Sequence, residues 1–182
     1  MFARTERLLL RPGWIEDAPS LFAAIADETV VRNLATAPWP YTPDHAKAFL
    51  ATERRWDEPT LLVFLRTGGP PQLVGTIGLG RRRSGELELG YWIAKRHWNR
   101  GYATEAGEAV VRAARESFRV PRLAAGHFLD NPASGRVLEK LGFRPTGVVA
   151  ERFSAGRGGS APCREFTLAL AGEAEPEAAM AA

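Results

Sequence analysis

Glu86-Leu87-Glu88-Leu89-Gly90-Tyr91-Trp92-Ile93-Ala94-Lys95-Arg96-His97-Trp98-Asn99-Arg100-Gly101-Tyr102-Ala103-Thr104-Glu105 is the stretch on which the reading of this chain turns. Its first half alternates: Leu87, Leu89, Tyr91 and Ile93 share one face, and Glu86, Glu88, Gly90 and Trp92 the other, the pattern of a half-buried strand. After Ile93 the period changes. Ala103, Ala106, Val110, Ala113 and Ala114 recur at helical spacing, with Glu105, Glu108, Arg112 and Arg115 on other faces. A strand therefore hands over to a helix through a turn at Asn99-Arg100-Gly101. The first backbone N–H groups of such a helix lack intrahelical partners and lie at the positive end of its dipole, which makes the turn an anion site. Arg100 adds a full positive charge, and Gly101, having no Cβ, lets a phosphate approach the backbone closely. A pyrophosphate is the simplest ligand for that cradle.

A second block lies downstream. Asp130-Asn131-Pro132-Ala133-Ser134 opens a short helix with Asn131 as its cap, Val137, Leu138 and Leu141 inside, and Gly142 as a left-handed stop before Phe143. Trp98-Asn99-Arg100-Gly101-Tyr102-Ala103 resembles the coenzyme A pyrophosphate loop of the GNAT (Gcn5-related) N-acetyltransferases, with Trp98 where the general pattern has Gln or Arg. Asn131 through Phe143 resembles that family's second conserved segment, Asn, two residues, Ser, then Glu-Lys-x-Gly-Phe. Together the two are similar to the subgroup that acetylates ribosomal-protein N-termini. The resemblance spans roughly residues 4 to 170. It implies an α/β (α+β) fold with a mixed, mostly antiparallel sheet of about seven strands, splayed at its centre and flanked by about four helices.

The rest of the chain supplies the matching elements. Thr5 to Arg11 reads as a first strand, and Asp17 with Pro19 opens a helix carrying Leu21, Phe22 and Ile25. Thr42 with Pro43 opens a second, its apolar side formed by Ala46, Phe49, Leu50 and Trp56. Trp39, Tyr41 and Trp56 are read first as packing residues, with substrate contact as the alternative. Leu61–Arg66 and Gln72–Gly80 form a meander with the central strand, Arg122–Leu129 follows the long helix, and Arg144–Arg152 and Arg164–Leu170 complete the sheet. Residues 1–170 are expected to form one domain. Residues 171–182, rich in Ala and Glu, read as a frayed tail.

Composition narrows the function. A chain of 182 residues, 45% hydrophobic, supports one real core. A net charge of +3 and a single basic run, Arg81-Arg82-Arg83, make no case for nucleic acid. One cysteine, Cys163, excludes an intrachain disulfide and favours a cytoplasmic protein, and no apolar stretch reaches the roughly 18 residues of a membrane span. His45, His97 and His127 are scattered without metal-ligand spacing, so no metal is expected.

Acetyl transfer to an amine needs a neutral nitrogen, donors for the carbonyl oxygen and a proton for the departing thiolate. Glu88 is the candidate base: on the central strand, opposite Leu87 and Leu89, partial burial would raise its pKa toward a useful value. The bland alternative is a carboxylate paired with an arginine of a neighbouring strand. The resemblance implies that acetyl-CoA is the cosubstrate. Its pyrophosphate would be held at Trp98, Asn99, Arg100, Gly101, Tyr102, Ala103 and Thr104, and its pantetheine by main-chain groups of Tyr91, Trp92 and Ile93. Asn131 would contact the coenzyme arm, and Ser134 would serve the thiolate. On the sequence alone Asn131 is equally a helix cap, and Ser134 equally a first-turn serine. The partners expected are acetyl-CoA and an amine acceptor, either a small molecule or a protein N-terminus, and the family leaves room for a homodimer. The competing class is a non-catalytic acyl-CoA-binding module on the same fold.

Overall fold

Alternating and doubly apolar runs build one eight-stranded sheet in the computed structural model, which describes residues 1–170. The strands are β1 (Ala3–Arg4), β2 (Leu8–Arg11), β3 (Thr60–Leu65), β4 (Gln72–Arg81), β5 (Leu87–Ile93), β6 (Arg122–Phe128), β7 (Arg144–Ser154) and β8 (Gly159–Ala169). Their spatial order is β1-β2-β3-β4-β5-β6-β8-β7. Every neighbouring pair is antiparallel except β5 and β6, which run parallel and are paired in register only at Glu88↔Ala124. Beyond Glu88 the two strands part, and this is the central splay.

Five helices flank the sheet: α1 (Ala18–Ile25), α2 (Glu28–Val31), α3 (Pro43–Ala51), α4 (Tyr102–Glu116) and α5 (Pro132–Lys140). A strand that must bury both faces has no polar alternate positions, and β3 reads Thr-Leu-Leu-Val-Phe-Leu accordingly. Leu61 and Val63 join one core with Leu87, Leu89, Ile93, Ala106 and Val110 beneath α4. Leu62 and Phe64 join a second with Leu21, Ile25, Val31 and Trp92 beneath α1 and α3. Trp92 is thus buried on the face the alternation assigns to the polar side, so the end of β5 is covered on both faces rather than one.

Several expectations are corrected. The first strand is two strands, because Thr5 and Arg7 turn outward to Glu105: Thr5 Oγ1 donates to its carboxylate at 2.5 Å and Arg7 N at 2.9 Å. That split makes eight strands instead of seven. The fifth helix is the short α2, started by Asp27, whose side chain accepts from Thr29 N. Helix α3 ends at Ala51, before Trp56, and Trp56 is 76% exposed and Trp39 40% exposed, so neither is a core residue. Tyr41 alone of that aromatic trio is buried. The last two strands run longer than their apolar patterns and meet in a tight turn at Ser154–Gly159. The expected tail at 171–182 lies outside the described residues.

Candidate active site

The handover from β5 to α4 sets the geometry of the first half of the site. Asn99 (φ 60°) and Gly101 (φ 79°) both take the left-handed conformation, which Asn tolerates and Gly adopts freely. Gly101 is the N-cap of the fifteen-residue α4 and offers no side chain to its first N–H groups. In α5 and α3, by contrast, Asn131 and Thr42 occupy those groups with their own oxygens. The α4 amides are therefore left for an external anion. A Cβ placed at Gly101 would meet only Arg7 Nη2, at 3.4 Å. Arg7 was not flagged by sequence reasoning. Its Nη1 donates to the Arg100 carbonyl at 3.0 Å, its Nε to Glu105 at 2.7 Å, and its guanidinium lies over the Tyr102 ring at 4.9 Å. It pins the turn from outside, where only the β1–β2 hairpin can deliver it.

A continuous groove of about 1530 Å³ starts at this turn. Since pockets for one drug-sized ligand run to about 1,000 Å³ at most, it has room for two substrates. Trp98, Asn99, Arg100, Gly101, Tyr102, Ala103 and Thr104 line one end. Tyr91, Trp92, Ile93, Asn131 and Ser134 line its middle, where β5 and β6 part, and Glu88 lies past the gap, on the side of α1 and α3. All the residues singled out from the sequence thus line one groove. Two are already engaged. The Ile93 carbonyl accepts from the Trp98 indole at 2.6 Å, so it is not free for a pantetheine amide. Asn131 Oδ1 accepts from Ser134 N at 3.4 Å, as a cap should.

Glu88 follows the second of its two readings, a carboxylate paired with arginine. Arg152 of β7 donates to it at 2.6 and 3.2 Å, and Arg82 at 2.7 Å. Arg82 also meets Glu165 of β8 at 2.5 Å, closing a ring of two carboxylates and two guanidiniums. Burial works to raise the Glu88 pKa, as expected, but the two guanidiniums outweigh it and hold the carboxyl below the ordinary glutamate value. The expected upward shift is corrected: Glu88 is ionised throughout the neutral range. Arg82 stands in the turn of the β4–β5 hairpin, six residues before Glu88, while Arg152 comes from a distant segment that the sheet order brings beside β5.

On the other side of the gap, the Tyr91 hydroxyl lies 2.8 Å from Ser134 Oγ and 3.1 Å from the Ser134 carbonyl oxygen. Burial pushes the Tyr91 phenol up to about 12, so it stays protonated at any working pH. Cys163 is buried with its thiol pushed up by burial, which leaves it unreactive. Among the described residues no helix is long and apolar enough to cross a membrane.

The far wall of the groove is built from two segments. Arg157 Nε donates to the Arg32 carbonyl at 2.7 Å, Ala155 N to Ala35 O at 2.9 Å, and the fully buried Ser154 hydroxyl lies within hydrogen-bond distance of the Arg32 and Leu34 carbonyls. Asp130 binds Arg157 at 2.8 Å and Arg32 at 3.0 Å, joining this clasp to the start of α5.

Comparison with known proteins agrees with the geometry. The profile of the Acetyltransferase (GNAT) domain matches residues 7–144. The N-acetyltransferase YoaA of Bacillus subtilis (strain 168), itself uncharacterized, is 30% identical over 157 residues, which cover 81% of this chain and 85% of that protein. A GNAT-family acetyltransferase structure from Bacillus anthracis superposes with a TM-score of 0.79 at 23% identity, covering 93% of this chain and 99% of that one. One from Vibrio cholerae, described as a proposed ribosomal-protein-serine acetyltransferase, gives 0.75 at 23% identity, covering 93% and 97%. The self-immunity acetyltransferase MccE, solved with acetyl-CoA and AMP, gives 0.74 at 15% identity, covering 91% and 94%. The chain belongs to the GNAT family and is an acetyl-CoA-dependent acyltransferase.

Proposed function

We propose that this chain transfers an acetyl group from acetyl-CoA to a primary amine by direct attack within a ternary complex, and that the acceptor is a peptide N-terminus. The observation that carries the reading is the groove that runs from the uncapped α4 amides through the β5–β6 gap to Glu88, because it gives each substrate its own entrance and joins them at the gap. Backbone amides at Trp98 to Thr104, with Arg100, hold the pyrophosphate. Main-chain groups of Tyr91 and Trp92 hold the pantetheine, Asn131 borders the arm, and Ser134 donates to the sulfur as it gains charge. When bound, acetyl-CoA supplies the activated carbonyl.

Charge on the acceptor side supports a peptide over a polyamine. Of the three carboxylates lining the groove, Glu58 is paired with Arg81 at 3.1 Å and Arg55 at 3.3 Å, Glu88 with Arg82 and Arg152, and the exposed Glu53 has no ion pair among the described residues. A polycation would need several free acidic groups along its length, and the groove offers one. A single terminal amine followed by peptide carbonyls suits a wall where two of the three carboxylates are occupied and arginine donors stand beside them. Glu88, permanently ionised and neutralised by Arg82 and Arg152, does not act as a titrating base. The amine proton then leaves through water in the open end of the groove.

Calorimetric titration with acetyl-CoA, followed by thiol release against peptides with different first residues and against spermidine, tests both halves. Tight binding with peptide-dependent release is the expected result. Release with spermidine alone would overturn the acceptor, and no binding would overturn the function.

A further inference from the structure

Ser134 lines the groove where β5 and β6 part, yet a serine hydroxyl has one proton and rotates freely, so something must aim it. Its carbonyl accepts from the Tyr91 hydroxyl at 3.1 Å, and its N–H is bonded to Asn131. Among the described residues the one hydrogen-bond partner of its hydroxyl is the same Tyr91 hydroxyl, at 2.8 Å. Tyr91 is the β5 residue beyond the last β5–β6 pairing whose side chain crosses to α5, bridging the sheet's two halves at the point where they separate.

We infer that Tyr91 is a positioning residue whose O–H is shared between the Ser134 carbonyl and Ser134 Oγ and thereby turns the Ser134 proton into the groove, toward the coenzyme sulfur. This rests on the function proposed above. As the amine nitrogen forms its bond to the thioester carbon, the C–S bond breaks and its electron pair goes to sulfur. The thiolate is stabilised by the Ser134 O–H bond while Tyr91 fills the oxygen lone pair behind it. The nitrogen sheds its extra proton to water, and sulfur takes one from water on release. A phenol whose pKa burial has raised to about 12 does not give up its own proton here, so Tyr91 orients and does not ionise. Arg136, Glu139 and Lys140 on α5, Arg122 and His127 on β6 and Glu88 on β5 are the other ionisable groups on the elements around Ser134, and none is hydrogen-bonded to either hydroxyl among the described residues.

The test needs no acceptor. Coenzyme A is bound to the protein and its thiol titrated by the ultraviolet absorbance of the thiolate, with desulfo-coenzyme A affinity measured beside it. Loss of one neutral hydrogen bond's worth of orientation should raise the pH at which the bound thiol ionises by about half a unit to one unit in Tyr91→Phe. Ser134→Ala should raise it similarly, and the double variant no further, because the two act as one unit. Desulfo-coenzyme A should bind all four proteins equally, which shows the groove intact. An unshifted thiol in Tyr91→Phe, or additive shifts in the double variant, would overturn the inference while leaving acetyl transfer standing. Failure of the unaltered protein to bind coenzyme A would instead remove the function itself.

Discussion

Replacing Glu88 by Gln removes one charge from a ring of four while keeping the shape of the side chain. Glu88 accepts three guanidinium hydrogen bonds, at 2.6, 2.7 and 3.2 Å, and its side chain is 23% exposed, against 17% for Arg82 and 32% for Arg152. Breaking one partner of a fully buried pair costs about 3–5 kcal/mol, and partial exposure lets water take up a share, so a loss of roughly 2–3 kcal/mol is expected. For a domain of this size that corresponds to a melting point lower by roughly 5–10 °C. The pH dependence gives the sharper check. Because the folded pKa of Glu88 lies below its unfolded value, near 4.5, the carboxylate's contribution is fully present above that value and is lost as pH falls through the folded one. Thermal unfolding followed by circular dichroism should therefore show a gap between wild type and Glu88→Gln that is constant from pH 6 to 8 and closes on acidification. Equal melting points at pH 7, or a gap that persists in acid, would refute the reasoning. Turnover carries a matching expectation: any rise in rate with pH near neutrality should remain in Glu88→Gln, since Glu88 does not titrate there.

Other perturbations separate the parts of the site. Gly101→Glu puts a carboxylate, in a left-handed conformation it resists, at the mouth of the α4 amides, and calorimetry should find coenzyme binding abolished. Ser134→Ala should lower turnover about tenfold to a hundredfold, within the range of one oriented donor, with coenzyme affinity largely kept; unchanged turnover removes Ser134 from the chemistry. A Cβ at Gly75 falls on the Trp92 carbonyl oxygen, so Gly75→Ala should cost about 3 kcal/mol in chemical denaturation, and a wild-type midpoint would count against the β4–β5 register. Arg157→Ala loosens the clasp on Arg32 and Asp130 and should raise KM for a peptide acceptor severalfold while leaving KM for acetyl-CoA unchanged.

The part of this molecule legible in its sequence is the part whose physics is local. The change of period at Ile93, the glycine at the head of α4 and the Asn131 and Thr42 caps each involve residues within one turn of one another, and each is seen in the structure. What was hidden depends on register between distant strands. Nothing near Glu88 in sequence announces Arg152, which reaches it only because β8 lies between β6 and β7. For the same reason the Glu88 pKa had the wrong sign: burial was foreseeable, the second guanidinium was not. Arg7 is silent until the β1–β2 hairpin folds against Glu105. Trp56 misleads in the opposite direction, since helical spacing is continued past the point where α3 ends.

The lone register pair between β5 and β6 also has a mechanical meaning. Hydrogen bonding divides the sheet into a five-strand slab and a three-strand slab, and the seam between them is stitched at Glu88↔Ala124, spanned by α4 and bridged by Tyr91. A coenzyme lying in that seam becomes mortar between two masonry blocks, offering the open edges of β5 and β6 the partners they otherwise lack. Amides at Leu89 to Trp92 and Gly126 to Phe128 would then exchange with deuterium more slowly once it is bound, and the whole protein would melt later by an amount set by coenzyme concentration. A catalyst organised in this way is held together more firmly while it holds its cosubstrate, and is at its loosest in the interval between releasing coenzyme A and taking up the next acetyl-CoA.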